Sequence, residues 1–208
     1  GEPPALEITF NNEVFYIMGR YAYTATGTAL TEDRDFGAGI YATDAIVHNN
    51  ELIVCFGGAT NKIQKRDTSG TWTTATDAVY ADHFTHVENR LWRATNTNEV
   101  SNCGPTDNPF TLTVWGSGIT VGDDDIGITD LNAYGQQLAV SKGEGLFFGD
   151  AEAKFPNSFP QLEDAPDALN GRGTVVNGAD LYYPHVGGMF LYNRGNVDEV
   201  GLHTTFRH

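Results

Sequence analysis

Five times along this chain a two-residue polar or small-residue turn leads directly into a short apolar strand. The segments are FNNEVFYI at 10–17, HNNELIVCF at 48–56, ENRLWRA at 88–94, GQQLAVS at 135–141 and GADLYYP at 178–184. Aligning Val14, Leu52, Leu91, Leu138 and Leu181 gives steps of 38, 39, 47 and 43 residues. A near-constant period of this length marks a repeated supersecondary unit that buries its apolar face against its neighbours. Asn and Gly tolerate the positive φ that a tight hairpin demands, so each turn predicts a hairpin between the strands flanking it. In the second unit the strands read AIVH, ELIVCF, KIQKR and TWTTAT, with DTSG turning between the last two. In the fourth they read LNAY, QLAV and GLFF, and DAEAKFPNSF is expected to supply the outer edge.

Four short antiparallel strands with tight connections occupy about 40 to 50 residues, the size of one β-propeller blade. The expected fold is therefore all-β: a β-propeller of about five four-stranded blades, or a five-blade segment of a larger propeller. The approximate repeats are 5–42, 43–80, 81–125, 126–168 and 169–208, within a single domain or propeller segment, 1–208. Whether the ring closes is left open, with GLHTTFRH as a candidate final outer strand. A long helix has no support, because the prolines and glycines of DAPDALNGRG stop one. Two excursions break the rhythm. SNCGPTDNP at 101–109 is expected as a surface loop that replaces a compact third strand and exposes Cys103, and residues 154–173 as a connection between units.

Composition supports a folded chain and narrows its partners. Hydrophobic residues make up 40% of the sequence, which argues against disorder, and the 24 glycines punctuate turns with no period of three. Twenty-seven acidic residues against 12 Lys and Arg leave a net charge of −15, which repels phosphate backbones and disfavours nucleic acid as a partner. No apolar run reaches the length of a membrane helix, so no membrane insertion is expected, and GEPPALEITF lacks the pattern of a signal peptide. Cys55 reads as a small core residue; with Cys103 it makes neither a disulfide framework nor a CxxC pair.

The fourth unit, VWGSGITVGDDDIGITDLNAYGQQLAVSKGEGLFFGD, is similar to repeats of phage virion and tail-associated β-propellers. The matching positions are Trp115, Gly122, Asp123, Ile128, Thr129, Asp130, Leu131, Leu138, Lys142, Gly143, Gly145, Leu146 and Phe147. The resemblance implies a structural or recognition role in a large assembly, at a virion or extracellular surface, with protein partners or a surface receptor. The fifth unit has HVGGMFLY where the fourth has SKGEGLFF, so no shared ligand site carries over.

Catalytic signatures are missing from the sequence: there is no phosphate-cradling Gly-rich loop before a helix, no HExxH and no GxSxG. RDTSGTWTT resembles the Asp-box turn of sialidases, but its spacing departs from that pattern and Asp67 is read as a turn former. Trp72, Trp92 and Trp115 are read as packing residues in strand-like segments. GDDDIGITD offers oxygen ligands to calcium without EF-hand spacing, and a solvated turn is the plainer reading. His83 and His86 stand at an odd separation, which sends them to opposite faces of a strand.

Counting eight residues back from the aligned leucines places Asp44, His83 and Asp130 at equivalent strand entrances, with Leu6 and Gly173 in the outer units. Thr43, Asp82, Thr129 and Arg172 precede them. In a propeller such positions face a central channel, so these three residues are expected as a polar cluster without an assigned acid or nucleophile. The expected function is noncatalytic structure or recognition. The alternative is a carbohydrate-binding or glycan-hydrolysing propeller, in which hydrolysis needs two converging carboxylates.

Overall fold

A computed structural model describes residues 6–95, 98–123, 125–150, 174–185 and 188–200. Among these residues every regular element is a β-strand, apart from one 3-10 turn at Leu112–Val114. The strands form five sheets, each ordered as in the sequence. The first contains β1 (Leu6–Phe10), β2 (Glu13–Met18), β3 (Tyr21–Thr26) and β4 (Ala29–Asp35). The second contains β5 (Asp44–His48), β6 (Glu51–Cys55), β7 (Gln64–Arg66) and β8 (Trp72–Thr74). The third contains β9 (His83–Val87), β10 (Arg90–Thr95), β11 (Glu99–Cys103) and β12 (Ile119–Thr120). Three strands make the fourth sheet: β13 (Ile128–Tyr134), β14 (Gln137–Lys142) and β15 (Gly145–Asp150). The fifth contains β16 (Val175–Asn177), β17 (Asp180–His185), β18 (Gly188–Asn193) and β19 (Asn196–Glu199).

The repeat seen in the sequence is a repeat of hairpin register. The residue pairs are Thr9 with Val14, Val47 with Leu52, Ala133 with Leu138 and Val176 with Leu181, each the second pair out from its turn. The turns explain the register. Asn11–Asn12, Asn49–Asn50 and Glu88–Asn89 hold both central residues at positive φ, as a two-residue hairpin loop requires. Gly135 and Gly178 take positive φ at the first central position, the place where a mirror-image turn needs glycine. Antiparallel meanders of four strands are thus present in four sheets. The expected outer edge of the fourth, residues 151–160, lies outside the described residues, as do the 154–173 connection and the terminal 201–208.

Two compact units divide the chain: residues 1–84 with 103–116, and residues 85–102 with 117–208. In the first, Phe10, Phe15, Ile17, Ala22, Phe36, Leu52, Val54 and Phe56 form a core between the first and second sheets. In the second, one cluster joins Trp92, Val100, Leu131, Val140 and Phe147, and another joins Ala139, Leu146, Phe148, Leu181 and Tyr183. The second strands differ in how they are covered. Buried residues run consecutively along β6, β10 and β14, the mark of strands covered on both faces, whereas in β2 burial alternates.

Two expectations need correction. Cys103 is not in an exposed loop: it closes β11, the third strand of its sheet, and is 1% exposed. The third unit therefore has its compact third strand, and the excursion starts at Gly104. Trp115 is buried as expected, but it follows the 3-10 turn and belongs to no strand, with its indole N–H donating to the Pro109 carbonyl at 2.9 Å.

Candidate functional site

The β6–β7 connection, FGGATNKI at 56–63, is tied down at both ends. Gly57 and Gly58 adopt φ of +68° and +70°, which admits glycine at low cost. A Cβ on Gly57 would come within 3.0 Å of the Thr43 methyl and 3.2 Å of the Asp82 carboxylate. The Gly57 N–H donates to the Ala81 carbonyl at 3.2 Å and the Gly58 N–H to Asp82 Oδ1 at 2.6 Å. At the far end the Ile63 N–H donates to the Val79 carbonyl at 3.1 Å, and Lys62 Nζ to the Thr76 carbonyl at 2.6 Å.

Between these anchors the loop rims a cavity of about 320 Å³ lined by Ile40, Phe56, Thr60, Asn61, Lys62, Gln64 and Thr74. Its floor is fixed by packing. Phe56 meets Phe36 edge-on at 4.9 Å, and Phe36 meets Trp72 at 5.3 Å. The Trp72 indole N–H donates to Asp33 Oδ2 at 2.7 Å, and the same carboxylate accepts two bonds from Arg66, at 2.9 and 3.2 Å. Arg66 lies over the Phe15 ring at 4.8 Å. Gln64 is only 6% exposed; its Oε1 accepts from Arg34 Nη2 at 3.0 Å, and its amide nitrogen has no protein partner among the described residues. The lining holds hydroxyls, amides and one ammonium, with no carboxylate and no imidazole. Such a set donates and accepts hydrogen bonds but contains no nucleophile–base pair.

The DTSG turn beside this floor behaves as an Asx turn. Asp67 Oδ1 accepts from the Ser69 N–H and the Thr71 N–H, each at 2.9 Å, and from Ser69 Oγ at 2.6 Å. The Ser69 hydroxyl, followed by the backbone donors, holds the Asp67 carboxyl below its ordinary value. Asp67 is thus a turn former, as its spacing predicted.

The strand-entrance residues stand as follows. Asp44 heads β5 and pairs across the hairpin with Cys55; its Oδ1 accepts from the Ala45 N–H at 2.8 Å and its Oδ2 from the Phe84 N–H at 2.7 Å. That second bond brings the carboxylate to the start of β9, which buried His83 heads. Asp130 belongs to the other compact unit. It occupies the matching place, opposite Ser141 after a bulge, with Oδ1 accepting from the Leu131 N–H and Oδ2 from the Asn132 side chain, both at 2.9 Å. His83 is buried and His86 exposed, although burial along β9 does not alternate strictly, since Phe84 beside His83 is buried too. Cys55 lies 3.4 Å from Thr43 Oγ1 and 3.3 Å from the Asp82 carbonyl, and burial pushes its thiol well up.

The acidic stretch after Val121 folds around an ammonium. Lys142, fully buried, donates to the Val121 carbonyl at 2.6 Å, the Asp123 carbonyl at 2.5 Å and Glu144 Oε1 at 2.7 Å. Two backbone oxygens of that loop are therefore taken by a side-chain cation; Asp124 lies outside the described residues. Among the described residues no group of three or more His, Cys, Asp or Glu could hold a metal ion.

No protein-family model matches the sequence, and no curated protein matches it either. Solved structures do match in fold. The extracellular domain of a one-component system from B. thetaiotaomicron superposes with a TM-score of 0.71 at 10% identity, covering 94% of this chain and 27% of that one. PorZ, a bacterial surface component of the type-IX secretion system of Porphyromonas gingivalis, gives a TM-score of 0.63 at 15% identity over 93% of this chain and 27% of that one. A catalytically inactive virginiamycin B lyase from Staphylococcus aureus gives 0.62 at 13% identity, over 86% of this chain and 62% of that one. The chain thus spans between about a quarter and two thirds of the proteins it resembles. At these identities the likeness is one of fold, and it falls on bacterial extracellular and surface proteins, on a lyase and on a mitotic checkpoint complex.

Proposed function

We propose that this chain is a noncatalytic recognition module of an extracellular or surface-exposed protein, carried on propeller-type blades. The observation that supports this most is the chemistry of the β6–β7 cavity, whose lining offers hydrogen-bonding groups and an apolar wall without a carboxylate pair, an imidazole or an activated hydroxyl. Fold alone does not decide the matter, since the similar structures include a lyase beside the extracellular domain of a one-component system and a secretion component. The resemblance of the fourth repeat to virion-associated propellers points to the same class of role, a part of a large assembly.

A broad screen for glycosidase and lyase turnover, run alongside ligand-induced thermal shift, tests the proposal. Stabilisation by a ligand with no product formed is the expected result. Turnover abolished by exchanging a carboxylate of this chain would overturn it.

A further inference from the structure

We infer that the β6–β7 cavity binds a neutral, hydroxyl-rich ligand the size of one or two sugar rings, an assignment that rests on the recognition reading above and names its ligand class. Its volume, about 320 Å³, falls at the small end of ligand pockets, which run from about 300 to 1,000 Å³. The lining excludes other classes one by one. A cation finds no carboxylate there. An anion meets one ammonium, Lys62, already donating to the Thr76 carbonyl, and it approaches a protein of net charge −15. A wholly apolar ligand would cover the Gln64 amide nitrogen, which has no protein partner among the described residues, and burying an unpaired amide donor is costly.

A polyol satisfies all of these groups together. Each ligand hydroxyl both donates and accepts, and so do the hydroxyls of Thr60 and Thr74 and the amide of Asn61. Gln64 adds a preorganised donor, because its carbonyl oxygen is held by Arg34 and the amide cannot turn without losing that bond. Ile40 and the edge of Phe56 supply the apolar contact that the C–H face of a ring would cover.

Isothermal titration of the intact chain tests the inference with glucose, galactose, mannose, xylose, maltose, cellobiose and lactose, and with glucuronate and inorganic phosphate as anionic contrasts. The Asn61→Ala, Thr74→Val double variant alters the rim of the cavity, and Gln64→Glu keeps its shape while replacing the free donor by an acceptor. Binding of at least one neutral sugar, weakened about ten-fold or more in each variant with the melting curve unchanged in the first, is the expected result. Neutral-sugar binding unchanged by both variants would remove the ligand from this cavity. Binding confined to glucuronate or phosphate would overturn the ligand class, and so would the absence of any sugar binding; all three leave the noncatalytic reading standing. Hydrolysis of a bound disaccharide would overturn that reading instead, while the ligand class survives.

Discussion

Lys142 shows how a residue type that belongs on the surface becomes part of a core. Its ammonium replaces solvent with two carbonyls and a carboxylate, and buried charge is tolerated only with such full pairing. Lys142→Met keeps the volume but strands the Val121 and Asp123 carbonyls. A loss of about 2–3 kcal/mol is expected, read from the urea midpoint. Tyr183 is the opposite case. It is fully buried, its ring stacks on Phe190 at 5.9 Å, and its hydroxyl has no hydrogen-bond partner among the described residues. Tyr183→Phe keeps the stacking and removes a desolvated hydroxyl, so stability should hold or rise by about 1 kcal/mol. Burial also pushes the Tyr183 phenol up to about 12 from an ordinary 10.0. The folded state thus keeps a proton that the unfolded chain releases. This contribution is intact below pH 10.0 and is lost as the pH rises through about 12, and the phenylalanine variant should lose that alkaline dependence in pH-stepped melting curves.

At the scale of the element, the β7–β8 hairpin depends on one carboxylate. Asp67 accepts three bonds from Ser69 and Thr71, and the turn it closes presents Trp72 to Phe36 beneath the cavity. Asp67→Ala should speed hydrogen exchange at the Ser69 and Thr71 amides several-fold while β5 and β6 stay protected; unchanged exchange at those two amides would show that the backbone alone holds the turn. Hairpins of this kind were legible in the sequence because turn chemistry pins register, which is why Leu52, Leu138 and Leu181 fall on equivalent pairs. Features set by packing across elements were not. Val14 aligns with those leucines yet is half-buried, while Phe15 beside it is fully buried, since β2 is covered on one face only. SNCGP reads as a loop because its polar residues and Gly-Pro hide that Ser101, Asn102 and Cys103 extend β11 and that Cys103 is buried. The cavity was invisible for the same reason. Thr60, Asn61 and Gln64 look like ordinary loop and strand polars, and only the tertiary fold brings Ile40 against them; the Gly57–Gly58 pair after an apolar strand was the one local sign. The entrance aspartates were legible as positions. Asp44 and Asp130 each accept from the N–H of the following residue, a local role that spacing alone could not separate from ligand binding.

For the molecule as a whole, charge is the property that position-by-position reading misses. Twenty-seven acidic residues face 12 Lys and Arg, and several of those cations are already committed inside the structure: Arg66 to Asp33 and Glu13, Lys65 to Glu51, Lys142 to Glu144. The acidic excess is therefore concentrated on carboxylates whose mutual repulsion penalises the compact state. Added salt shortens the Debye length to about 8 Å at 0.15 M, which weakens repulsion between exposed charges while the buried pairs are screened much less. Moving from about 0.01 M to 0.15 M sodium chloride at pH 7 should therefore raise the melting temperature. Relief of about 1 kcal/mol corresponds to roughly 2–4 °C for a chain of this size. Calorimetry across that salt range, repeated near the isoelectric point of about 4.5, checks the cause as well as the sign. The salt effect should shrink as the net charge falls towards zero, and a melting temperature that drops with salt at pH 7 would mean that the ion pairs of Arg66, Lys65 and Lys142 outweigh the repulsion.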